Sequence, residues 1–225
     1  EEIDEAHRIT FEKVEDEHFV TVKHSMTKPH YISFIAYLTA DRIQFVKLYP
    51  EGNAETRLNL RGGGHLYIYC NKHGLMKRIV YENKTQAIFA HHEKTLGPTP
   101  HLHKEIEIIY VVKGASDAYA DKKRYPIKNG DLFISFPNQV HYYKGTVRGQ
   151  YYLIIINPDK LYGLKKIVYD NVPVNNTVSL PKGSEIAKLL KKAIKCDGEF
   201  SETLKAGLLN QVLGLIMPQL ELKEI

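Results

Sequence analysis

The stretch "HLHKEIEIIYVVKG", residues 101–114, has the pattern of a β-strand that carries polar groups into a protein interior. His101 and His103 are two positions apart, so on an extended chain both side chains point to one face. Glu107 reaches the same face four residues later. β-branched residues fill half of the remaining positions, and Gly114 ends the stretch. The pattern predicts a strand whose inner face carries two imidazoles and a carboxylate.

A second stretch, "NGDLFISFPNQVHYY" at residues 129–143, predicts a later strand that brings His141 to face those three side chains. Three imidazoles and one carboxylate can bind zinc, iron, manganese or nickel, and the residue types alone do not select among these ions. The alternative is a polar lining for an organic effector. Four tyrosines could line such a pocket or be ordinary strand pairs: Tyr110, Tyr119, Tyr142 and Tyr143.

The segments "EIIYVVKG" and "GDLFISFP", taken with these histidines, resemble the cupin fold, which is a jelly-roll barrel. Cupins bind a divalent metal at the same four positions. With two amphipathic helices after the barrel, roughly residues 85–220 are more narrowly similar to the N-terminal sensor domain of AraC-type transcription regulators. The resemblance implies a small-molecule effector, a homodimer formed by the C-terminal helices, and DNA binding through helix-turn-helix motifs. We expect those motifs beyond Ile225.

The last third of the chain changes to helical spacing in "SEIAKLLKKAIK" (184–195) and "SETLKAGLLNQVLGLIM" (201–217). Ser184 and Ser201 are predicted N-caps, and Pro218 is a predicted stop. The apolar stripe predicted for the second helix is Leu204, Leu208, Val212 and Ile216. This stripe could be a dimer seam, but packing on the barrel is the favoured interpretation.

About a third of the way along the chain, "YCNKHGLMK" (69–77) sets Cys70 and His73 three residues apart in a glycine-flanked turn. A thiolate and neutral imidazoles are good donors for a transition metal, but two ligands do not make a site. Further histidines precede this turn: His7, His18, His24, His30 and His65. On the residues alone, unrelated surface and core histidines remain the alternative.

The order of these residues resembles a known family. "VKHSMTKPHYISFIAYL" (22–38) followed by "YIYCNKHGLMK" (67–77) is similar to the iron domain of superoxide reductase, the desulfoferrodoxin and neelaredoxin family, over about residues 1–80. The family reduces superoxide to hydrogen peroxide at a mononuclear non-haem iron with one open position. Carried over, the resemblance implies four nitrogen ligands and one axial thiolate: His7, His24, His30, His73 and Cys70.

The chain departs from the family pattern beside the first ligand. Glu5 stands where the family has a glutamate and is the one candidate catalytic residue, but Ala6 replaces a lysine that attracts superoxide. Its loss predicts a slower encounter without loss of iron binding. Ser25 and Met76 also replace a usual proline and tryptophan. His18 is a possible substitute for His7, although a surface position is favoured for it and for His65; His91 and His92 stay unassigned.

These patterns together predict a mainly β protein of two β units and a helical tail. The predicted parts are an immunoglobulin-like β-sandwich over residues 1–82, a cupin jelly-roll barrel over 83–175, and a pair of α-helices over 176–225 that acts as linker and dimerisation segment. The boundary between the β units is placed near "MKRIVYENKTQ" (76–86).

Composition excludes some classes of protein. Of 225 residues, 43% are hydrophobic and 25% charged, as in an ordinary globular protein. An apolar run of membrane-helix length and a signal peptide are both lacking, so a cytoplasmic protein without membrane contact is expected. Two cysteines predict free thiols rather than a disulfide. The net charge is +5, but aromatic residues are not interleaved with the lysines. The charge therefore does not by itself argue for nucleic-acid binding.

The leading functional hypothesis is the signal-sensing region of an AraC-type regulator. It would sense superoxide, redox or iron status through a His4Cys iron centre coupled to a cupin effector domain. One alternative is a superoxide reductase enzyme with an accessory cupin. A third is that the iron site is vestigial and only the cupin senses a small molecule.

Overall fold

Short strands dominate the computed structural model, which describes residues 5–39, 41–60, 63–81 and 87–225. The chain divides into two compact units, Glu1–Glu82 and Asn83–Ile225. Of the predicted boundary segment 76–86, residues 82–86 lie outside the described residues. The mainly β class that the sequence predicts is confirmed.

The first unit is a β-sandwich of a three-stranded and a four-stranded antiparallel sheet, ordered β1-β2-β5 and β4-β3-β6-β7. Its described strands are β1 (Ile9–Val14), β2 (Glu17–Val22), β3 (Ile32–Leu38), β4 (Ile43–Lys47), β5 (Glu55–Leu58), β6 (Gly64–Cys70) and β7 (Gly74–Val80), after a short 3-10 turn at Glu5–His7. Alternation along β6 turns Leu66, Ile68 and Cys70 inward. Cys70 therefore lies at the end of a core strand.

The second unit contains a barrel of two facing sheets, ordered β16-β12-β9-β14-β8 and β11-β10-β13, and a separate pair β15-β17. Its described strands are β8 (Ile88–Glu93), β9 (Ile106–Lys113), β10 (Ala115–Ala120), β11 (Lys123–Lys128), β12 (Asp131–Ser135), β13 (His141–Lys144), β14 (Gln150–Ile156), β15 (Asn171–Pro173), β16 (Thr177–Ser179) and β17 (Leu222–Glu224). Ile109, Phe133 and Tyr143 fill the space between the two sheets. This arrangement agrees with the predicted cupin barrel.

The outer face of the five-stranded sheet packs against helices. The described helices are α1 (Lys165–Asp170), α2 (Glu185–Lys195) and α3 (Ser201–Ile216), with 3-10 turns at Pro158–Lys160 and Met217–Gln219. Ile108 of β9 joins the helical core while its neighbour Ile109 faces the barrel interior, because successive strand residues point to opposite faces. None of the described helices combines the length and the apolar character that crossing a membrane requires.

Two helix predictions need correction. Ser184 caps α2 through a hydrogen bond from the Ala187 amide, as expected, but Ser201 is the first residue of α3 and Phe200 holds the cap position. The predicted stripe on α3 is also rotated, since Leu204 is 61% exposed. The buried residues of α3 are Leu209, Val212, Leu213 and Ile216. Apolar residues surround much of α3, so periodicity alone could not select the buried face.

The segment 176–225 is not purely helical. Its first strand, β16, pairs with β12 and completes one edge of the barrel sheet. Its last strand, β17, pairs with β15. The buried face of α3 belongs to the same core as the barrel sheet. This segment is therefore integrated with the barrel and does not form a free tail, and packing on the barrel is the observed role of the α3 apolar face.

Candidate metal centres

Two groups of metal-binding side chains form among the described residues, one in each unit. The first centre consists of His7, His24, His30, Cys70 and His73. The five donor atoms, one from each residue, all lie within 4.8 Å of one another. The structure thus brings together every residue that the resemblance assigned to iron.

Local backbone structure places these donors. His24 and His30 lie in the loop that follows β2, which is closed where Thr27 and His30 exchange two backbone hydrogen bonds of 3.0 Å. Cys70 ends β6 and pairs with Gly74 at the start of β7, so His73 sits in the turn of a hairpin. Gly74 has a left-handed φ of 84°, a conformation that glycine adopts at little cost. The hairpin turn therefore supplies two donors and the loop supplies two more.

Neighbouring imidazole nitrogens of the first centre are separated by similar distances. Nε2 of His24 lies 3.1 Å from Nε2 of His30, which lies 3.3 Å from Nδ1 of His73. That nitrogen is 3.0 Å from Nε2 of His7. The sulfur of Cys70 is 3.6 Å from Nε2 of His24 and 3.4 Å from Nδ1 of His73. Nitrogens bound at about 2.1 Å to one ion and at right angles are about 3 Å apart, so this spacing fits a shared metal ion.

Charge also favours metal binding at the first centre. Nδ1 of His24 donates to the carbonyl oxygen of Ser25, which leaves the Nε2 lone pair directed at the other donors. Burial lowers the pKa of His24; the hydrogen bond to Ser25 opposes this, and positive charge on the neighbouring histidines adds to the lowering. The pKa of His30 is lowered by burial and then by the charges of His73 and Lys72. Both imidazoles are therefore neutral donors at pH 7.

The first centre is closed on one side and open on the other. Cys70 and His7 are buried, His24 and His30 are half-buried, and His73 is exposed. Glu5 lies beside the centre in sequence, but its exposed carboxylate pairs with Arg8 at 3.4 Å. This ion pair offsets the negative charge of Glu5.

One residue that the sequence analysis missed holds the two halves of the first centre together. The side-chain oxygen of Asn71 accepts a hydrogen bond from the Tyr31 amide at 2.8 Å. Its side-chain nitrogen donates to the carbonyl oxygen of Pro29 at 3.1 Å. Asn71 thus ties the hairpin that carries Cys70 to the loop that carries His30. Its position directly after the cysteine was the available signal.

The remaining histidines lie elsewhere. His18 is on β2 with its ring edge-on to Phe11, and His65 is half-buried on β6. Neither belongs to the first centre, so His7 and not His18 completes it. His91 and His92 are exposed on β8, and neither joins the second centre described below.

The second centre consists of His101, His103, Glu107 and His141, whose donor atoms also lie within 4.8 Å of one another. Its geometry differs from the prediction in one respect, because β9 begins only at Ile106. His101 instead forms an isolated bridge with His141, and the His103 segment is irregular. Glu107 on β9 and His141 on β13 supply the strand-borne donors. The four donor side chains still converge, although residues 101–103 do not form the predicted strand.

The protonation of the three imidazoles follows from their hydrogen bonds. Each Nδ1 faces a backbone carbonyl, which can only accept. The pairs are His101 with Thr99 at 2.9 Å, His103 with Glu105 at 3.1 Å, and His141 with Gln139 at 2.9 Å. Each Nδ1 therefore donates to its carbonyl, and Nε2 is the nitrogen directed at Glu107, where it donates to the carboxylate while protonated and can bind a metal ion once it has lost that proton.

Glu107 is the buried anion of the second centre. Its Oε2 lies 3.4, 3.8 and 3.5 Å from the Nε2 atoms of His103, His101 and His141. Burial alone raises the pKa of Glu107, but the charge of His141 and hydrogen bonds from the imidazoles outweigh it and hold that pKa well below its ordinary value. The pKa of Tyr143 is raised well above 10 by burial and by the Glu107 charge. The pair is a carboxylate beside a neutral phenol.

The second centre fits a divalent metal ion. Three Nε2 atoms and one carboxylate oxygen converge on one point, where a cation can take the place of the Nε2 protons. Nε2 of His141 is buried and lies 3.5 Å from Oε2 of Glu107, so a metal ion between the two would satisfy both atoms. Imidazoles and a carboxylate suit zinc, iron, nickel or manganese.

Of the four tyrosines considered for a pocket, one reaches the second centre. Tyr143 donates a hydrogen bond to Oε1 of Glu107 at 2.7 Å. Tyr142 instead stacks on Tyr119 with ring centroids 4.5 Å apart. Tyr110 packs beside Tyr152 against the helical core. The sequence signal for Tyr143 was its position two residues after His141.

Comparisons with known proteins match each unit separately. Residues 86–212, more than half of the chain, match the family model described as the AraC-like ligand binding domain. A desulfoferrodoxin from Clostridium acetobutylicum is 35% identical over 57 residues, which cover 25% of this chain and 46% of that protein. The chain therefore spans less than half of this curated relative.

Solved structures are each similar to a part of this chain. Superoxide reductase from Treponema pallidum has 30% sequence identity and a TM-score of 0.30, covering 33% of this chain and 66% of that one. Apo ToxT from Vibrio cholerae has 8% identity and a TM-score of 0.43, covering 61% of this chain and 58% of that one.

Proposed function

The chain belongs to the AraC-like ligand binding domain family, and from this premise we propose that it is the signal-receiving region of an AraC-type transcription regulator. Its first unit would sense superoxide, redox or iron status through a mononuclear non-haem iron. The observation that carries the proposal is the five-donor first centre in the same chain as a regulator-type ligand domain. DNA binding would then belong to another part of the regulator.

Iron is the proposed metal of the first centre because the donor set suits it. Four imidazoles and one thiolate form a softer set than the oxygen ligands that magnesium or calcium prefer. The sequence match to a desulfoferrodoxin supports the same ion. Bound iron would supply one-electron redox chemistry, and His7, His24, His30, His73 and Cys70 would hold it.

The protein residues have distinct roles in this proposal. Cys70 is the one thiolate in the set, and its burial keeps that sulfur away from bulk water. Four neutral imidazoles add no negative charge, so the loaded centre keeps a net positive charge that attracts an anion such as superoxide. The exposed His73 side is where a small anion can approach.

Signal transfer would begin in the two backbone segments that carry the donors. Loss of the metal, or a change in its charge, removes the attraction that holds the loop at 24–30 against the β6–β7 hairpin. The response requires two states of these segments whose balance the metal shifts. Asn71 bonds to both segments and would couple their movements.

We further propose that the second unit receives its own signal at the second centre. The convergence of three imidazole Nε2 atoms on Glu107 supports a divalent transition metal there. This metal would either be the effector or anchor a small organic effector through its remaining positions. Homodimer formation through the C-terminal helices and a cytoplasmic location complete the proposal.

A superoxide reductase enzyme is the second candidate function. All five donors, including the buried His7, are present and close enough to share an ion, which favours catalytic competence. Against it, Ala6 supplies no cation next to the His7 donor, and Glu5 is paired with Arg8.

One experiment separates the two functions. The iron-loaded, reduced chain is mixed with superoxide generated by pulse radiolysis, and the second-order rate constant is measured. A slow reaction, with iron bound and its absorption sensitive to oxidant, supports the sensor. A rate near the diffusion limit of about 10⁹ M⁻¹s⁻¹ supports the enzyme. Absence of iron from the first centre contradicts both.

A further inference from the structure

The Tyr143 hydroxyl donates to Oε1 of Glu107 at 2.7 Å inside the barrel of the second unit. We infer that Tyr143 is a positioning residue of the second centre, which holds one oxygen of Glu107 so that only Oε2 serves as a metal ligand. This inference rests on the metal binding proposed for that centre and adds the residue that fixes how the carboxylate binds.

The two oxygens of Glu107 have different partners. Oε2 lies between 3.4 and 3.8 Å from the three imidazole Nε2 atoms, while Oε1 accepts from Tyr143. A carboxylate without such a donor can rotate and offer both oxygens to one ion. A hydrogen bond on Oε1 opposes that rotation, so the geometry favours a single carboxylate oxygen on the metal.

The position of the Tyr143 hydroxyl is itself fixed. Tyr143 pairs with Ala118 across β13 and β10, and its amide donates to the carbonyl oxygen of Gly97 at 3.3 Å. Its ring packs edge-on to Phe133 at 5.8 Å. Tyr143 is buried, with 3% of its surface exposed to solvent. Strand pairing and the Phe133 ring hold this buried side chain in place. Its hydroxyl therefore has little freedom to move.

Every donor of the second centre is thus oriented by a second partner. Three backbone carbonyls orient the imidazoles, and Tyr143 orients the carboxylate. Such outer partners typically change metal affinity about 10- to 100-fold when they are removed. The site is therefore built before the ion arrives. Its preferred ligand is a divalent transition ion that accepts imidazole nitrogen, because calcium and magnesium need more oxygen ligands than one carboxylate supplies.

The test is a metal titration of the Tyr143→Phe variant. Phenylalanine keeps the ring and removes only the hydroxyl. The background carries His24→Ala, His30→Ala and Cys70→Ala, which remove three of the five donors of the first centre, including its thiolate, so that the titration reports the second. Zn²⁺ affinity is measured by competition with a chromogenic chelator, and Co²⁺ gives a visible ligand-field spectrum. We expect Tyr143→Phe to weaken Zn²⁺ binding about 10- to 100-fold and to change the Co²⁺ spectrum.

Two matched variants give the controls. Tyr142→Phe alters the adjacent tyrosine, which stacks on Tyr119 away from the centre, and should leave both readouts unchanged. Glu107→Gln should abolish tight binding. Equal affinity and equal spectra for Tyr143→Phe and the unsubstituted background would overturn the inference while leaving the metal site intact. Failure of that background to bind Zn²⁺ or Co²⁺ would overturn the proposed second centre and this inference together.

A second measurement needs no substitution at Tyr143 and applies if that variant does not fold. Infrared difference spectra of the background with and without Zn²⁺ report the carboxylate stretching bands of Glu107, assigned by comparison with Glu107→Gln. A wide splitting of the two bands indicates one bound oxygen and is the expected result. A narrow splitting, as for two bound oxygens, would overturn the inference.

Discussion

The sulfur of Cys70 lies 3.4 Å from Nδ1 of His73, although the two residues are only three positions apart in the chain. The β6–β7 hairpin creates this contact, because Cys70 ends one strand and the turn returns the chain through His73 to Gly74. A single hairpin therefore presents a thiolate and an imidazole to one point. The remaining donors come from loops that must be held against it.

Asn71 provides that restraint, and its removal should loosen the first centre. Asn71→Ala deletes the hydrogen bonds to Tyr31 and Pro29. Both bonds are exposed, so we expect a loss of about 1–2 kcal/mol in the free energy of unfolding and a roughly tenfold weaker iron affinity. Urea unfolding and chelator competition measure these quantities. Asn53→Ala, which loses only a local bond to Glu55, should leave iron affinity unchanged; an equal loss in both variants would contradict the role of Asn71.

Acid should destabilise the metal-free protein before its carboxylates titrate. The pKa values of His24 and His30 are lowered from 6.5, mainly by burial. Between 6.5 and those lower values the unfolded chain binds protons that the folded chain does not, so stability falls as pH falls through 6.5. Glu107 contributes the same sign only below its ordinary pKa of 4.5. We expect a lower urea midpoint at pH 5.5 than at pH 7.5.

Substitution of these histidines is the control for the pH effect. His24→Ala with His30→Ala should reduce the difference between the two midpoints. It should not remove the difference entirely, because burial also lowers the pKa values of His18 and His65. A midpoint that is unchanged or higher at pH 5.5 in the unsubstituted protein would show that these groups do not govern its acid stability.

The buried face of α3 can be tested by paired truncations. Leu213→Ala removes a fully buried side chain from the core shared with the barrel and should cost about 2–5 kcal/mol. Leu204→Ala, on the exposed side of the same helix, should change stability by no more than about 0.5 kcal/mol. Calorimetry of both variants measures the difference. Similar losses would mean that Leu204 is buried by a partner, as in a dimer formed through this helix.

A cation at position 6 should raise the rate of reaction with superoxide. Ala6 is exposed and precedes the buried His7. Ala6→Lys adds a positive charge next to the His7 donor of the first centre and should increase the second-order rate constant roughly tenfold at low ionic strength. Salt should reduce the gain, since exposed charges are screened. Ala6→Gln is the neutral control, and an equal rate for both variants would exclude electrostatic steering from this position.

Much of the fold followed from local patterns. Short runs of β-branched and aromatic residues, separated by Gly, Pro and Asn, predicted the strands. The buried face of α3 did not follow, because Leu204, Leu208 and Leu209 all lie on an apolar helix and only the barrel selects among them. Likewise β16 contributes only three residues, Thr177–Ser179. Its existence depends on pairing with β12, which periodicity does not report.

The donors of both centres were predictable, but their partners were not. Histidine, cysteine and glutamate are common metal ligands, and their spacing in the sequence indicated that they could share a site. The amide of Asn71 and the hydroxyl of Tyr143 matter only because tertiary structure brings them to Pro29 and Glu107. The tautomers of the second centre also depend on carbonyl groups, which every residue possesses. These roles of Asn71 and Tyr143 can be recognised only in the three-dimensional structure.

The iron-thiolate bond is the most direct test of the central claim. Iron content and visible absorption are measured on the oxidised protein and on its Cys70→Ala variant after loading with ferrous iron. We expect about one iron at the first centre and a thiolate-to-iron charge-transfer band that Cys70→Ala removes, while His101→Ala leaves the band unchanged. Iron-free protein after loading, or a band that survives in Cys70→Ala, would contradict the account.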